Sequence, residues 1–312
     1  MVSIIIPFNN GNKYLKKCLQ SLCGLNYNDF EVILVDDYSG DNSEEIAKNY
    51  SNKLNIKYYY VAKETIGVGN ARNLGIQKAS EKYIMFVDVD DTIEANLLKD
   101  FQQYIEKDID IIKYKMKIIE DGKEVLTRGA IFDVTDGQDG FNRLYFNDKF
   151  LDSPCLYLIK KDLFERTKLR FEKNVYHEDF GLIPQLIVNA KSIVSTEYYG
   201  YNYFQSSDSI MRNNDYSKEI KKVNDKFTHY NNLIKNLSMY ELTNQTKENL
   251  LSFYTNSIIM SLKNLKHKDR RFFEKKIKQE KLLSNIHVKN LKQMIKKILL
   301  RTNMEMYFVW QK

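Results

Sequence analysis

Cysteine is scarce: Cys18, Cys23 and Cys155 are odd in number and show no paired metal-ligand spacing. That argues against a disulfide framework and against a zinc module, and it fits a reducing compartment. No apolar stretch approaches the roughly 18 residues of a membrane span. The run Val2–Phe8 reads as a strand with no basic segment ahead of it, which argues against a signal peptide, so a cytosolic protein is expected. No internal repeat and no compositionally biased stretch stands out. Beyond Tyr201 the chain holds neither proline nor glycine. What is present suits a globular protein: 312 residues, 43% hydrophobic and 29% charged, can bury a substantial core. The 48 Lys and Arg against 41 acids leave a net charge of +7, a mild excess that permits anionic partners. It does not point to nucleic acid, and no aromatic–basic recognition pattern appears.

The first third alternates β-rich runs with helical patterns, which predicts a parallel sheet in an α/β fold. The runs are Val2–Phe8, Phe30–Val35, Ile56–Val61 and Tyr83–Val87, the last nearly continuously apolar as a strand covered on both faces must be. Leu15, Cys18, Leu19, Leu22 and Cys23 recur at helical spacing, which puts both cysteines on a buried stripe, as core packing rather than redox groups. A second helix is expected to start near Asp41 or Asn42, with Glu44 and Glu45 downstream as in a capping box. A third should follow Gly67. Further on come a helix through Leu98, Phe101 and Ile105, a β-rich run from Ile109 to Ile119, and a turn at Asp121-Gly122. From about Tyr216 the Lys-, Asn-, Leu- and Ile-rich sequence predicts several helices.

The informative feature is where carboxylates follow apolar strands. Asp36 and Asp37 follow Ile33-Leu34-Val35, and Asp88, Asp90 and Asp91 follow Met85-Phe86-Val87. Ligands of an open parallel sheet sit outside the carboxyl ends of its strands, so the two clusters would face one crevice. Three carboxylates in four positions repel one another, and the usual relief is a hard divalent cation, Mg²⁺ or Mn²⁺, whose remaining positions phosphate oxygens can fill. The plain alternative is that such acids are solvated turn formers. Gly67-Val68-Gly69-Asn70-Ala71-Arg72-Asn73-Leu74-Gly75 lacks the glycine of a dinucleotide fingerprint where Arg72 stands. It still permits an open helix N-terminus with a guanidinium one turn in, suited to an anion. Arg72 can equally be a surface helix cation paired with a neighbouring acid.

Four motifs together resemble the family 2 glycosyltransferases of GT-A fold, inverting enzymes that use nucleotide diphosphate sugars. They are Ser3-Ile4-Ile5-Ile6-Pro7-Phe8-Asn9-Asn10, Val35-Asp36-Asp37-Tyr38-Ser39-Gly40-Asp41, Ala71-Arg72-Asn73-Leu74-Gly75 and Phe86-Val87-Asp88-Val89-Asp90-Asp91. The resemblance implies a Rossmann-like, mostly parallel sheet flanked by helices, a GT-A domain over 1–212, and an added helical region over 213–312. Within the domain the nucleotide-binding half would cover about 1–110 and the acceptor half about 111–212. It also implies that Pro7, Phe8, Asn9 and Asp37 line the base and ribose pocket, that Arg72 lies near the nucleotide, that Asp88 with Val89 approaches the ribose, and that Asp90 holds the metal. His177-Glu178-Asp179-Phe180 resembles the family's downstream acid pair, which makes Asp179 the expected base with Glu178 beside it. Tyr38 and Gly40 stand where the family usually has glycine and threonine, and His177 where glycine is common. Ser206 to Arg212 is similar to a segment that closes over the donor diphosphate. The implied activity is transfer from a UDP-sugar to a glycan or lipid-linked acceptor of a bacterial surface polysaccharide, with Mn²⁺ or Mg²⁺ as cofactor.

Other readings compete. Glu178 and Asp179 would also stabilise a helix N-terminus by about 0.3–1 kcal/mol without catalysing anything. His177 lacks the second histidine of a zinc-protease helix and is assigned no metal. Asp88-Val89-Asp90-Asp91-Thr92 is similar to the nucleophile loop of haloacid-dehalogenase phosphatases, although that loop normally ends the first strand of its domain. Near the C-terminus Val288, Leu291, Ile295 and Ile298 fall on one helical face with Lys289, Lys292, Lys296 and Lys297 around them. Such a helix can lie on an anionic membrane, with Tyr307, Phe308 and Trp310 at headgroup level, or pack in a bundle with its lysines solvated. The oligomeric state is left open.

Overall fold

The computed structural model describes residues 1–205, 215–286, 291–302 and 304–310. The chain divides into two compact units, Met1–Asn213 and Asn214–Lys312.

In the first unit, runs of Ile and Val make strands covered on both faces: β1 (Val2–Phe8) is buried throughout, as is nearly all of β2 (Phe30–Asp36). Helix α1 (Leu15–Cys23) separates them, and α2 (Ser43–Lys48) precedes β3 (Ile56–Tyr60). Then come α3 (Val68–Lys78), β4 (Tyr83–Phe86), the two-residue β5 (Thr92–Ile93), α4 (Leu97–Glu106) and β6 (Ile111–Glu120). The order β3-β2-β1-β4 is parallel throughout, the doubly wound half that the alternating pattern predicts. Helix α3 lies close on this sheet because Gly75 has no side chain; a Cβ there would stand 2.3 Å from Ile5 Cγ2.

The second half departs from strict parallelism. After β7 (Lys123–Leu126), β8 (Phe132–Thr135) and α5 (Gly137–Asn147), strand β9 (Tyr157–Lys160) inserts antiparallel between β4 and β6. Helices α6 (Lys161–Thr167) and α7 (Glu178–Val188) follow, and β10 (Ile193–Phe204) returns parallel to β6 while pairing antiparallel with β5 and β8. The β6–β7 turn falls at Asp121-Gly122, where φ values of 49° and 75° give the left-handed pair of a tight hairpin.

Three local expectations are corrected. Cys18 is buried, but Cys23 closes α1 on its exposed side. Helix α2 starts after Asn42 as expected but has only six residues and no side-chain cap from Asn42; instead the Asp41 carboxylate accepts from Ser43 N at 3.1 Å and Ser43 Oγ at 2.5 Å. Asp36, expected to face the crevice, is 4% exposed and accepts from Ser39 N and the Tyr58 hydroxyl, both at 2.6 Å. It shapes the loop after β2 and pushes the Tyr58 hydroxyl up in pKa, after burial as the larger cause.

The second unit is helical, as its glycine- and proline-free sequence predicts: α8 (Tyr216–Asn236), α9 (Asn244–Ser261), α10 (His267–Gln279), α11 (Leu291–Thr302) and α12 (Met304–Trp310). Asp215 caps α8 through Ser217 N at 2.9 Å, and Thr243 caps α9 through Thr246 N at 3.2 Å. The core gathers Val223, Phe227, Tyr254, Ile258, Phe273 and Ile277. The expected C-terminal apolar face is only partly described: Val288 and Lys289 lie outside the described residues, as do the side chains of Leu291, Lys292 and Trp310. Ile298 is half exposed, whereas Leu300, Met304 and Tyr307 are buried. The lysines are not simply solvated, because Lys296 reaches Asn256 Oδ1 at 2.8 Å and Lys297 the Ile286 carbonyl at 2.6 Å. Among the described residues no helix is long and apolar enough to cross a membrane.

Candidate active site

The crevice begins where β1 and β2 end. Register pairs Phe8 with Asp36, and Asp37 N continues the pairing by donating to the Phe8 carbonyl at 2.7 Å. Pro7 and Phe8 are buried at this edge. Asn9 turns its amide onto the Asp37 and Tyr38 carbonyls, at 2.7 and 3.1 Å, so it knits the two loops together. Tyr38 is half exposed in a left-handed conformation, φ 66°. Gly67 N donates to both carboxylate oxygens of Asp37, at 2.8 and 2.9 Å. Burial raises its pKa, and the Gly67 N–H works against that shift. Gly67, at φ 140°, holds a backbone conformation that L side chains rarely adopt.

The loop after β4 divides its acids by role. Asp91 is 1% exposed and accepts from the Tyr201 hydroxyl at 2.6 Å and Phe204 N at 2.9 Å. Its pKa is pushed up to about 8, first by burial and then by Asp88. Tyr201 also receives Asp88 N at 3.1 Å, so one hydroxyl on β10 pins both ends of the loop. Asp88, Val89 and Asp90 are partly exposed, and Asp90 is raised by burial and by the charge of Asp88.

Helix α3 ties this loop to the later acid pair. Arg72 is 6% exposed, pairs with Asp88 Oδ1 at 3.1 Å, and ion-pairs with Glu178 at the start of α7. It is therefore no surface cation. Its guanidinium also stands 5.4 Å from the Phe171 ring centroid. His177 occupies the N-cap of α7 with φ 58°, and Glu178 and Asp179 form the first turn. The Asp179 pKa is raised, chiefly by burial and next by Glu178 and Asp152, while Arg72 opposes the shift. Acids about 90 positions apart in sequence thus meet across a single arginine.

Among the described residues no three His, Cys, Asp or Glu side chains are grouped to hold an ion. Two hard oxygen donors are nevertheless adjacent, Asp88 and Asp90, and the charge of one raises the other. Mg²⁺-type ions commonly take one or two carboxylates and fill the rest of the shell with water and substrate phosphates, so this donor set fits such an ion.

The sequence reading missed Tyr201, the hydroxyl that organises the acid loop, and Asn73, which binds the Phe171 backbone. Only the tyrosine-rich run Tyr198-Tyr199-Gly200-Tyr201 hinted at the former. Ser206 to Arg212, compared above with a donor-closing segment, lie outside the described residues.

The model of Glycosyl transferase family 2 matches residues 3–167, more than half of the chain. The chain belongs to this family. Glycosyltransferase GlyG of Streptococcus pneumoniae serotype 4 is 32% identical over 222 residues, covering 68% of this chain and 73% of that protein. The poly(ribitol-phosphate) beta-N-acetylglucosaminyltransferase TarS of Staphylococcus aureus is 29% identical over 211 residues, which cover 64% of this chain but only 35% of that protein. Among solved structures, S. aureus TarS 1–349 in complex with UDP-GlcNAc aligns over 98% of this chain and 89% of its own, with a TM-score of 0.75 and 19% identity. Mannosyltransferase PcManGT from Pyrobaculum calidifontis, in complex with GDP-Man and Mn²⁺, aligns over 99% and 83% with a TM-score of 0.57 and 12% identity. At those identities the structural likeness establishes the fold. A family 2 glycosyltransferase has no need of a phosphatase nucleophile at Asp88, and β4 is the fourth strand of the chain, following β1, β2 and β3 rather than opening the domain, so that alternative falls.

Proposed function

We propose that this chain transfers a sugar, with inversion, from a UDP-sugar to a hydroxyl of a glycan or lipid-linked acceptor during assembly of a bacterial surface polysaccharide. The observation that carries the reading is the Arg72 bridge, which joins Asp88 on the donor side to Glu178 beside Asp179. Relatives named for poly(ribitol-phosphate) glycosylation and a fold neighbour holding UDP-GlcNAc support the donor class and the kind of acceptor.

In this reading residues 1–110 bind the nucleotide, 111–212 the acceptor, and 213–312 form a separate helical region. Pro7, Phe8 and Asn9 frame the base, and Asp37 accepts a hydrogen bond from it or from the ribose. Asp88, with Val89 alongside, meets the ribose, and Arg72 acts on the nucleotide through Asp88. Asp90 with Asp88 would hold Mn²⁺ or Mg²⁺, which when bound neutralises charge developing on the departing diphosphate. Asp179 takes the proton of the attacking hydroxyl. A positioned general base contributes about 10²- to 10⁴-fold, and a carboxylate raised towards the working pH is the stronger base. Inversion follows when that base and the diphosphate stand on opposite faces of the sugar.

A panel of UDP-, GDP- and dTDP-sugars, assayed for nucleotide release with and without Mn²⁺, tests the reading. We expect release from a UDP-sugar alone, lost turnover in both Asp90→Asn and Asp179→Asn, and donor binding weakened mainly by the first. Full turnover by Asp90→Asn would overturn its role. The lysine-rich 213–312 region is also assigned a peripheral contact with an anionic inner membrane face; flotation with phosphatidylglycerol liposomes that survives truncation before His287 would remove the last helices from that role.

A further inference from the structure

Asn73 spends its whole side chain on one distant residue. Its amide donates to the Phe171 carbonyl at 2.8 Å, and its oxygen accepts from Phe171 N at 3.0 Å. Three neighbours reinforce the junction. The Phe171 ring meets Phe86, the last residue of β4, edge-on at 5.4 Å. A Cβ on Gly69 would stand 2.8 Å from the Glu172 carbonyl oxygen, so α3 approaches that backbone as closely as glycine allows. Arg72 then takes Glu178 at the far end of the same stretch.

Between these two anchors, residues 172–177 belong to no helix or strand, and Asn174 and His177 both take left-handed φ values of 58°. No ladder of backbone bonds runs through such a segment, and Asn73 and Arg72 hold its two ends.

We propose that Asn73 is a positioning residue: by clamping the Phe171 backbone it sets where α7 begins, and so where Asp179 stands relative to a donor held by the β1, β2 and β4 loops. This rests on the reading of Asp179 as the base. Both polar atoms of Asn73 are engaged by the Phe171 backbone, so its effect runs through Phe171 and the segment that follows. A misplacement of about 1 Å in a reacting group can cost about 10²-fold in rate.

The test uses the full chain with two variants. Asn73→Ala removes both bonds. Asn73→Asp keeps an acceptor for Phe171 N but sets a second oxygen against the Phe171 carbonyl, so the bond to the carbonyl becomes a repulsion. We would measure kcat for UDP release with the donor and acceptor that wild type uses, Kd for UDP by calorimetry, and thermal unfolding. The expected result is a kcat lowered about 10²-fold in Asn73→Ala and at least as far in Asn73→Asp, with the Kd for UDP within about twofold of wild type in both. A role confined to folding would lower the melting temperature and the active fraction without separating kcat from Kd across the two variants. Unchanged kcat in a folded variant overturns the proposal, and so does a weakening of UDP binding that matches the loss of kcat. If Asn73→Ala fails to fold, Asn73→Asp decides by the same comparison. A wild type that turns over no UDP-sugar sinks the functional reading itself, and this inference with it; an active wild type matched by its variants sinks only the role of Asn73.

Discussion

Replacing Tyr201 by Phe should loosen the acid loop without opening a cavity, because the ring remains and only the hydroxyl goes. Two bonds disappear, the one to Asp91 at 2.6 Å and the one from Asp88 N at 3.1 Å. With the Asp91 pKa near about 8, its carboxyl is mostly protonated at pH 7 and the bond lost there is between neutral groups. That bond and the orphaned Asp88 N–H together cost about 2–3 kcal/mol. For a unit of this size the melting temperature should fall by roughly 2–4 °C per kcal/mol, hence about 4–12 °C in all. The penalty should grow with pH. Asp91 already titrates above its unfolded value of about 3.9, so its charge opposes folding as pH rises through its folded pKa. The Tyr201 bond holds that pKa down, and losing it carries the decline to higher pH. Differential scanning fluorimetry at pH 7 and pH 9, beside calorimetry with UDP, reads both effects, and UDP binding should weaken because Asp88 and Asp90 ride on this loop. A melting temperature equal to wild type at both pH values would refute the claim that this hydroxyl holds the loop.

Gly75→Ala should destabilise by about 1–3 kcal/mol despite its better helix propensity, since the new methyl would meet Ile5 Cγ2 at 2.3 Å; urea denaturation measures it, and a stabilised variant would contradict the packing. Lys113 and Asp148, each 2% exposed, pair at 2.9 Å, so Lys113→Met should cost about 3–5 kcal/mol by stranding a buried acid, visible as a large loss in thermal stability. Asp179 is raised by burial and by Glu178, and a base works only when deprotonated. The acid limb of kcat/KM should therefore lie above the ordinary aspartate value of about 3.9 and move down in Glu178→Gln; a limb that stays put would exclude Asp179 as the titrating group.

The doubly wound half was legible in the sequence because its cause is local: Ile- and Val-rich runs bury on both faces, and acids that cannot be buried unpaired mark where those runs end. Strand order beyond β4 was not, since nothing within Tyr157–Lys160 reveals that it will run antiparallel between two strands from other parts of the chain. The acids themselves could be found, but their roles could not. Asp36 and Asp37 are neighbours of identical type; the first is consumed by Ser39 and Tyr58, the second by Gly67, and only the fold decides which. Asp91 looked like a third ligand and instead receives the hydroxyl of a tyrosine 110 positions away. Cys23 fell on the expected stripe but at the last residue of α1, where the helix end turns it outward.

One reversed strand has a wider consequence. Because β9 runs antiparallel to both β4 and β6, those two share a direction, and β3, β2, β1, β4, β6 and β10 all finish on the same edge. On the proposed reading, grasping the activated sugar and choosing what receives it are then written in consecutive stretches of polypeptide that open onto a common rim. Loops at that rim beyond β4 can diverge or lengthen while the nucleotide end stays as it is, which is a route by which one scaffold could serve many different polymers.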